Sequence, residues 1–241
     1  MGFYTGNMQK TITTFFIDLD GTVYDRNNGM MEAMTERIAL YVEKVLHVPH
    51  AQVPSLMEHY YQTYGSSLRG LQQDFVFDPK DYLAFVHDLD LDAYLKPDPV
   101  LRESLISIST PKWIFTNSDR NHALRVLDKL EITDCFEGIL DVWTMEYVSK
   151  PHPWVYHHAL EMAGDPDPWQ CVFIDDSARN LKPAAHIGFS TIWVGEGALP
   201  FGAHLSMSHL HNLPAAFELI EKDFILPDIF TPLPQLQPFT Y

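Results

Sequence analysis

The apolar positions along the chain follow two different periods. Residues 13–18 (TTFFID) form a short β-branched and aromatic run without polar alternation, the pattern of a strand buried on both faces of a parallel sheet. Comparable runs recur at 112–116 (KWIFT), 138–142 (GILDV), 171–175 (CVFID) and 191–194 (TIWV). Between them lie helical patterns at 121–130, with Leu124, Leu127 and Leu130 on one face, at 154–162, and at 180–187, closed by Gly188. Strands alternating with helices predict an α/β fold with a doubly wound parallel sheet. Residues 26–96 interrupt this order with helical periodicity alone. Met30, Met34, Ile38, Tyr41, Val42 and Val45 form one stripe. Leu56, Met57, Tyr60, Tyr61 and Tyr64 form another, ended by Gly65 as the residue after the helix. Asp78-Pro79 reads as an N-cap with proline at N1, opening a third helix. The predicted organisation is an α/β core from 1–25 and 97–226, an inserted helical domain at 26–96 with its return hinge at Lys96-Pro97-Asp98-Pro99, and a proline-rich tail at 227–241.

Composition narrows the function more than the fold. Apolar residues make up 46% of the 241 and charged residues 20%, so the chain reads as an ordinary globular protein. Acidic residues exceed basic ones, 32 to 16, for a formal net charge of −16. That balance excludes a nucleic-acid polymer or an anionic membrane as the expected partner. It leaves room for a small anion bound through a metal ion or a few local cations. No run of 18 apolar residues occurs, and the start lacks a basic segment leading into an apolar one. Gly6 stands where a myristoylation signal wants Ser or Thr. With Cys135 and Cys171 as the two cysteines, both expected as reduced thiols, the location expected is cytoplasmic. His204, His209 and His211 read as a solvated loop rather than a zinc site.

Four predicted strand ends carry polar chemistry. Asp18 and Asp20, in Asp-Leu-Asp-Gly-Thr, are two residues apart at the end of the first strand, a spacing that projects both carboxylates to one side. Thr116-Asn117-Ser118, Lys150 and Asp175-Asp176 follow at later strand ends, where open α/β sheets bind ligands. Singly, each reads equally as a turn, a helix cap or a loop lysine. Together, in this order, they point to phosphoryl transfer.

This constellation resembles the haloacid dehalogenase superfamily of aspartate-nucleophile phosphotransferases, over nearly the whole chain. All four of that family's motifs are matched, and the insert sits where its helical C1-type cap follows the first motif. The resemblance implies Asp18 as nucleophile, Asp20 as general acid and then base with a raised pKa, and Lys150 holding nucleophile and phosphoryl group. It implies phosphate contacts from Thr116 and Asn117. It also implies Mg²⁺ held by Asp18, the Asp20 carbonyl and Asp175, with Asp176 beside them. A narrower resemblance, to the pyrimidine 5′-nucleotidase branch, lies in Tyr64-Gly65-Ser66-Ser67-Leu68-Arg69-Gly70-Leu71, in DLDGTVY up to Tyr24, and in KPHPWVY and DDSARNL. Gly21 and Ser67 depart mildly from that branch's Asn and Thr. The resemblance implies a pyrimidine nucleoside monophosphate as substrate, met by Tyr24, Tyr64 and Arg69. The alternatives are a phosphatase or mutase acting on a sugar phosphate or phosphoglycolate and, outside enzymes, a phosphate-binding protein or signalling receiver. In a receiver the acidic pair precedes the phosphoacceptor, the reverse of the order here.

Overall fold

A computed structural model describes residues 11–222; residues 1–10 and the proline-rich stretch 227–241 lie outside the described residues. Six parallel strands form one sheet: β1 Thr14–Ile17, β2 Lys112–Phe115, β3 Gly138–Leu140, β4 Cys171–Asp175, β5 Ser190–Val194 and β6 Leu205–Met207. Their spatial order is β3-β2-β1-β4-β5-β6. The winding direction reverses at β1, so the crevice at its carboxyl end is the topological switch point.

Successive side chains of a strand face opposite sides, and the core divides accordingly. Phe15, Ile17, Ile114, Val172 and Ile174 point into one layer, covered by α5 Pro99–Ile106, α6 Arg120–Lys129 and α9 Leu213–Glu221. Phe16, Phe115 and Phe173 point into the other, against Tyr156 of α7 Pro153–Met162 and Leu181 of α8 Ala178–Ile187. Both faces are buried, which is why these strands read as continuous apolar runs.

Between β1 and α5 the longer elements are all helices: α1 Met30–Lys44, α2 Val53–Tyr64, α3 Ser67–Asp74 and α4 Pro79–Val86. They pack around a separate cluster containing Tyr41, Val42, Tyr60, Leu71 and Tyr82. Asp78 accepts the Lys80 N–H at 2.8 Å with Pro79 opening α4, and Asp98 accepts the Leu101 N–H at 2.9 Å with Pro99 opening α5. Gly65 ends α2 at φ +89°, and a Cβ there would lie 2.5 Å from the Lys150 carbonyl oxygen. Only glycine satisfies both that left-handed turn and the close approach.

Two elements go beyond the sequence pattern. The segment after Gly65 is the helix α3, started by Ser66, whose hydroxyl accepts the Arg69 N–H at 3.3 Å. β6 lies within the histidine-bearing stretch read as a loop. There His204 Nδ1 lies 3.0 Å from the Thr191 N–H, and His211 Nε2 lies 2.9 Å from Asp98 Oδ2. These histidines thus tie β6 and its neighbourhood to β5 and α5. Among the described residues no helix is long and apolar enough to cross a membrane, and the cysteines form no disulfide.

Candidate active site

Parallel register aligns Ile17 with Ile174, so Asp18 and Asp175 emerge side by side at the switch point. Lys150 reaches them from the loop after β3. Its ammonium donates to Asp18 Oδ1 at 2.7 Å, to Asp175 Oδ2 at 2.9 Å and to the Phe115 carbonyl at 2.6 Å. The side chain is 1% exposed and lies over the Phe115 and Phe173 rings. Burial alone would lower its pKa, but the Asp175 and Asp18 carboxylates outweigh that and raise it. The lysine therefore stays charged.

Asp18 is buried, and Thr22 donates its hydroxyl to Oδ2 at 3.1 Å. Burial pushes its pKa up, Lys150 pulls it down, Asp20 adds to the rise, and the net shift is upward. Asp175 is raised to about 7, chiefly by burial and then by Asp18 and Asp176 against the pull of Lys150. Asp176 is raised to about 6 by burial and by Asp18, against the pull of Arg26, which holds its Oδ2 at 2.5 Å. Asn180 donates to both Asp175 oxygens, at 3.1 and 3.0 Å.

Asp20 corrects an expectation. Its carboxyl was expected to have a raised pKa; instead it is held well below the usual carboxylate range. Burial raises it, but His122, Ser118 and, farther off, His87 more than reverse that. Oδ1 takes the Tyr24 hydroxyl at 2.7 Å and lies 2.8 Å from His122 Nε2, and Oδ2 takes the Ser118 hydroxyl at 2.6 Å. Donors aimed at a carboxylate favour its ionised form.

Asp18, Asp175 and Asp176 each offer an oxygen within 4.8 Å of the others, and among the described residues they form the grouping able to hold a metal ion. The donor set fits a hard divalent cation such as Mg²⁺, because all three donors are carboxylate oxygens. The upward shifts of all three carboxyls come first from burial and then from the neighbouring carboxylates, both of which a bound cation would offset.

The site opens into a cleft of about 310 Å³ between core and insert. Thr116, Asn117, Ser118 and Lys150 lie at its floor, and Met34, Ile38, Ser67, Leu68 and Tyr82 are among its insert-side walls. Thr116 accepts the Ser118 N–H at 3.0 Å.

None of the three residues expected to meet the substrate is among those lining this cleft. Arg69 donates to the Tyr147 carbonyl at 3.2 Å. Tyr64 is packed with the insert core, its carbonyl accepting from Ser149. Tyr24 donates to Asp20 and lines a neighbouring cavity instead. From that segment the cleft receives Gly65, Ser66, Ser67 and Leu68. Sequence reasoning missed Thr22, Arg26, His87, His122 and Asn180. The His-Ala pair at 122–123 inside an amphipathic helix gives no pattern that separates His122 from a core histidine.

A doubly wound sheet with paired aspartates on its first strand, a lysine and an acidic pair converging at the switch point defines an α/β enzyme with its reaction centre at the strand ends. The chain belongs to the haloacid dehalogenase-like hydrolases, whose family model matches residues 12–188. It is 33% identical over 192 residues to Phosphate metabolism protein 8 of Saccharomyces cerevisiae, covering 74% of this chain and 60% of that protein, so it spans about three-fifths of that relative's length. It is 24% identical over 236 residues to the glyceraldehyde 3-phosphate phosphatase of Pyrococcus furiosus, covering 89% of this chain and 95% of the relative. Among solved structures it resembles a phosphatase of the same superfamily from Thermococcus onnurineus, with TM-score 0.58 and 17% identity over 86% of this chain and 98% of the other.

Proposed function

We propose that the protein is a Mg²⁺-dependent phosphomonoesterase with Asp18 as nucleophile, and that its substrate is a pyrimidine nucleoside monophosphate, hydrolysed to nucleoside and phosphate. The observation that carries the reaction class is the buried Asp18 carboxylate clasped by Lys150 beside the acidic trio.

Phosphate monoesters are kinetically inert dianions, so charge neutralisation and in-line positioning dominate their catalysis. Asp18, Asp175 and Asp176, with the Asp20 carbonyl, would hold the metal ion, which supplies charge neutralisation between these carboxylates and the phosphate. Lys150 orients Asp18 and offers positive charge to the phosphoryl oxygens, while the Thr116 hydroxyl and Asn117 N–H bind them. An Asp18 oxygen attacks phosphorus, the ester P–O bond breaks, and Asp20 gives its proton to the departing oxygen. Water then attacks the aspartyl phosphate, Asp20 takes a proton from that water, and Asp18 and phosphate are released. Asp20 rests as a carboxylate, the form needed for the second half. A dianionic phosphate brought beside it raises its pKa toward the form needed for the first.

The walls support a leaving group without charge. Met31, Met34, Ile38, Leu68, Leu83 and Val86 are apolar, and Thr35, Ser66, Ser67 and Tyr82 add hydroxyls. Arg26 and Lys150 are the lysine and arginine side chains at the lining, and both are engaged with carboxylates. This suits a nucleoside better than phosphoglycolate, whose leaving group carries a carboxylate. The volume lies at the small end of ligand sites, roughly 300 to 1,000 Å³, and favours one ring over a fused pair. The test is a panel of UMP, CMP, AMP, GMP, glyceraldehyde 3-phosphate and phosphoglycolate with Mg²⁺. UMP and CMP are expected to give the highest kcat/KM; a higher value for a purine nucleotide or a small sugar phosphate overturns the substrate while leaving the phosphatase reading intact.

A further inference from the structure

Resting on the reading of Asp20 as the proton-transfer group, we propose that His122 is a positioning residue for the Asp20 carboxyl and that His87, carried by the insert, holds His122 in place by stacking on it. Proton transfer to the leaving group is thereby tied to the seating of the insert on the core.

The argument begins with an outlier. His122 is 1% exposed, and its Nδ1 is a buried polar atom with no hydrogen-bond partner among the described residues. Such atoms are rare because burial strips them of water. A leucine or phenylalanine at this place in α6 would carry no such penalty. What the imidazole adds is Nε2, 2.8 Å from Asp20 Oδ1. A charge-assisted bond to a carboxylate favours the tautomer with the proton on that nitrogen.

One hydrogen bond leaves a ring free to swivel about it. The His87 ring removes that freedom, lying parallel to His122 with centroids 4.2 Å apart and planes 17° apart. His87 ends α4, so the stack joins insert to core. The joint is reinforced at both edges. Asp119 begins α6, accepting the N–H groups of Asn121 at 2.8 Å and His122 at 3.1 Å with one oxygen, while the other lies 2.5 Å from His87 Nδ1. Arg125, one turn past His122, donates to the His87 carbonyl at 2.7 Å and the Leu89 carbonyl at 2.6 Å. α6 therefore grips the end of α4 through three side chains, one of which also holds Asp20. An insert lifted from the core would lose the stack and free the His122 ring to turn on its bond to Asp20.

The experiment uses the full chain with Mg²⁺ and two phosphate monoesters: ethyl phosphate, whose alkoxide must be protonated to leave, and p-nitrophenyl phosphate, whose phenolate departs unaided. The readout is kcat/KM, which covers the transfer to Asp18 and not the later hydrolysis. His122→Leu is expected to lower the ethyl value about 10- to 100-fold, the usual loss when a group orienting a functional side chain is removed, and to leave the aryl value nearly as it was. His122→Gln, which keeps a donor, is expected to recover most of the ratio between the two substrates. His87→Ala is expected to lower the ratio, and His87→Phe, which keeps the stack, to restore it. If His122→Leu does not fold by thermal melt, the two His87 variants decide. A ratio unchanged in His87→Ala and in each folded His122 variant, even with both rates reduced together, overturns the proposal and assigns these histidines to structure alone. Where wild type is inactive on ethyl phosphate, UMP, itself an alkyl phosphate, takes its place in the ratio; a wild-type protein that hydrolyses neither these esters nor UMP removes the phosphatase reading, and this proposal with it.

Discussion

The Asn117 side chain brackets the Lys150 backbone: its Oδ1 accepts the Lys150 N–H at 2.8 Å, and its Nδ2 donates to the Lys150 carbonyl at 3.1 Å. The family resemblance gives Asn117 a phosphate contact. The structure adds a second duty, fixing the loop from which the Lys150 ammonium reaches Asp18.

Asn117→Ala leaves both Lys150 backbone groups without these partners, at a cost of about 1–3 kcal/mol. A lower thermal midpoint and reduced kcat are expected together, read by melting and steady-state kinetics. An unchanged kcat would remove this bracket from the catalytic account.

Lys150→Met deprives Asp18 and Asp175 of their shared counter-charge. Breaking a buried ion pair by removing one partner costs about 3–5 kcal/mol. Turnover should be lost and the metal-free fold weakened. Activity near wild type would exclude Lys150 from the reaction centre.

Metal and pH are linked through the raised carboxyls. Asp175, at about 7, and Asp176, at about 6, bind protons more tightly folded than at their ordinary value of 3.8. Their contribution to stability is present below that ordinary value and is lost as pH rises through the folded values. Burial and the neighbouring carboxylates both favour the protonated forms, and a bound cation, which favours the ionised ones, competes with those protons. The Mg²⁺-induced rise in melting temperature over an EDTA control should therefore be larger near pH 8 than near pH 5.5. An equal rise at both pH values, or none, would contradict the assignment of the trio.

Gly21 stands where a side chain would disturb the metal site. Its φ is +84°, and a Cβ would lie 2.7 Å from Asp176 Oδ2. Gly21→Ala should cost about 1–2 kcal/mol in backbone strain and weaken Mg²⁺ binding by calorimetry. Unaltered binding would place Asp176 outside the metal's ligands.

The residues legible in the sequence were those fixed by strand ends. Asp18, Thr116 and Asp175 follow apolar runs whose burial on both faces marks them as central strands, so their convergence follows from topology. Lys150 was legible through its family motif. β6 was not, because three residues, Leu-Ser-Met, carry too little pattern to separate an edge strand from a loop. α3 was hidden because its segment contains two serines and a glycine; the tight packing of Gly70 under the Tyr60 ring, which makes that glycine necessary, is a tertiary fact. The environment of Asp20 was equally hidden, since Ser118 and His122 are about a hundred positions away and meet it only through the pairing of β1 with β2.

The central claim is that Asp18 takes the phosphoryl group. An acyl phosphate is reduced by borohydride to the alcohol, so quenching the enzyme with borohydride during turnover of UMP and Mg²⁺, followed by peptide mass spectrometry, reads the acceptor directly. The account predicts homoserine in place of Asp18, substrate-dependent and absent when the variant Asp18→Asn is treated alike. Reduction at another aspartate, or none at Asp18 in a sample quenched with the phosphoenzyme accumulated, would contradict it.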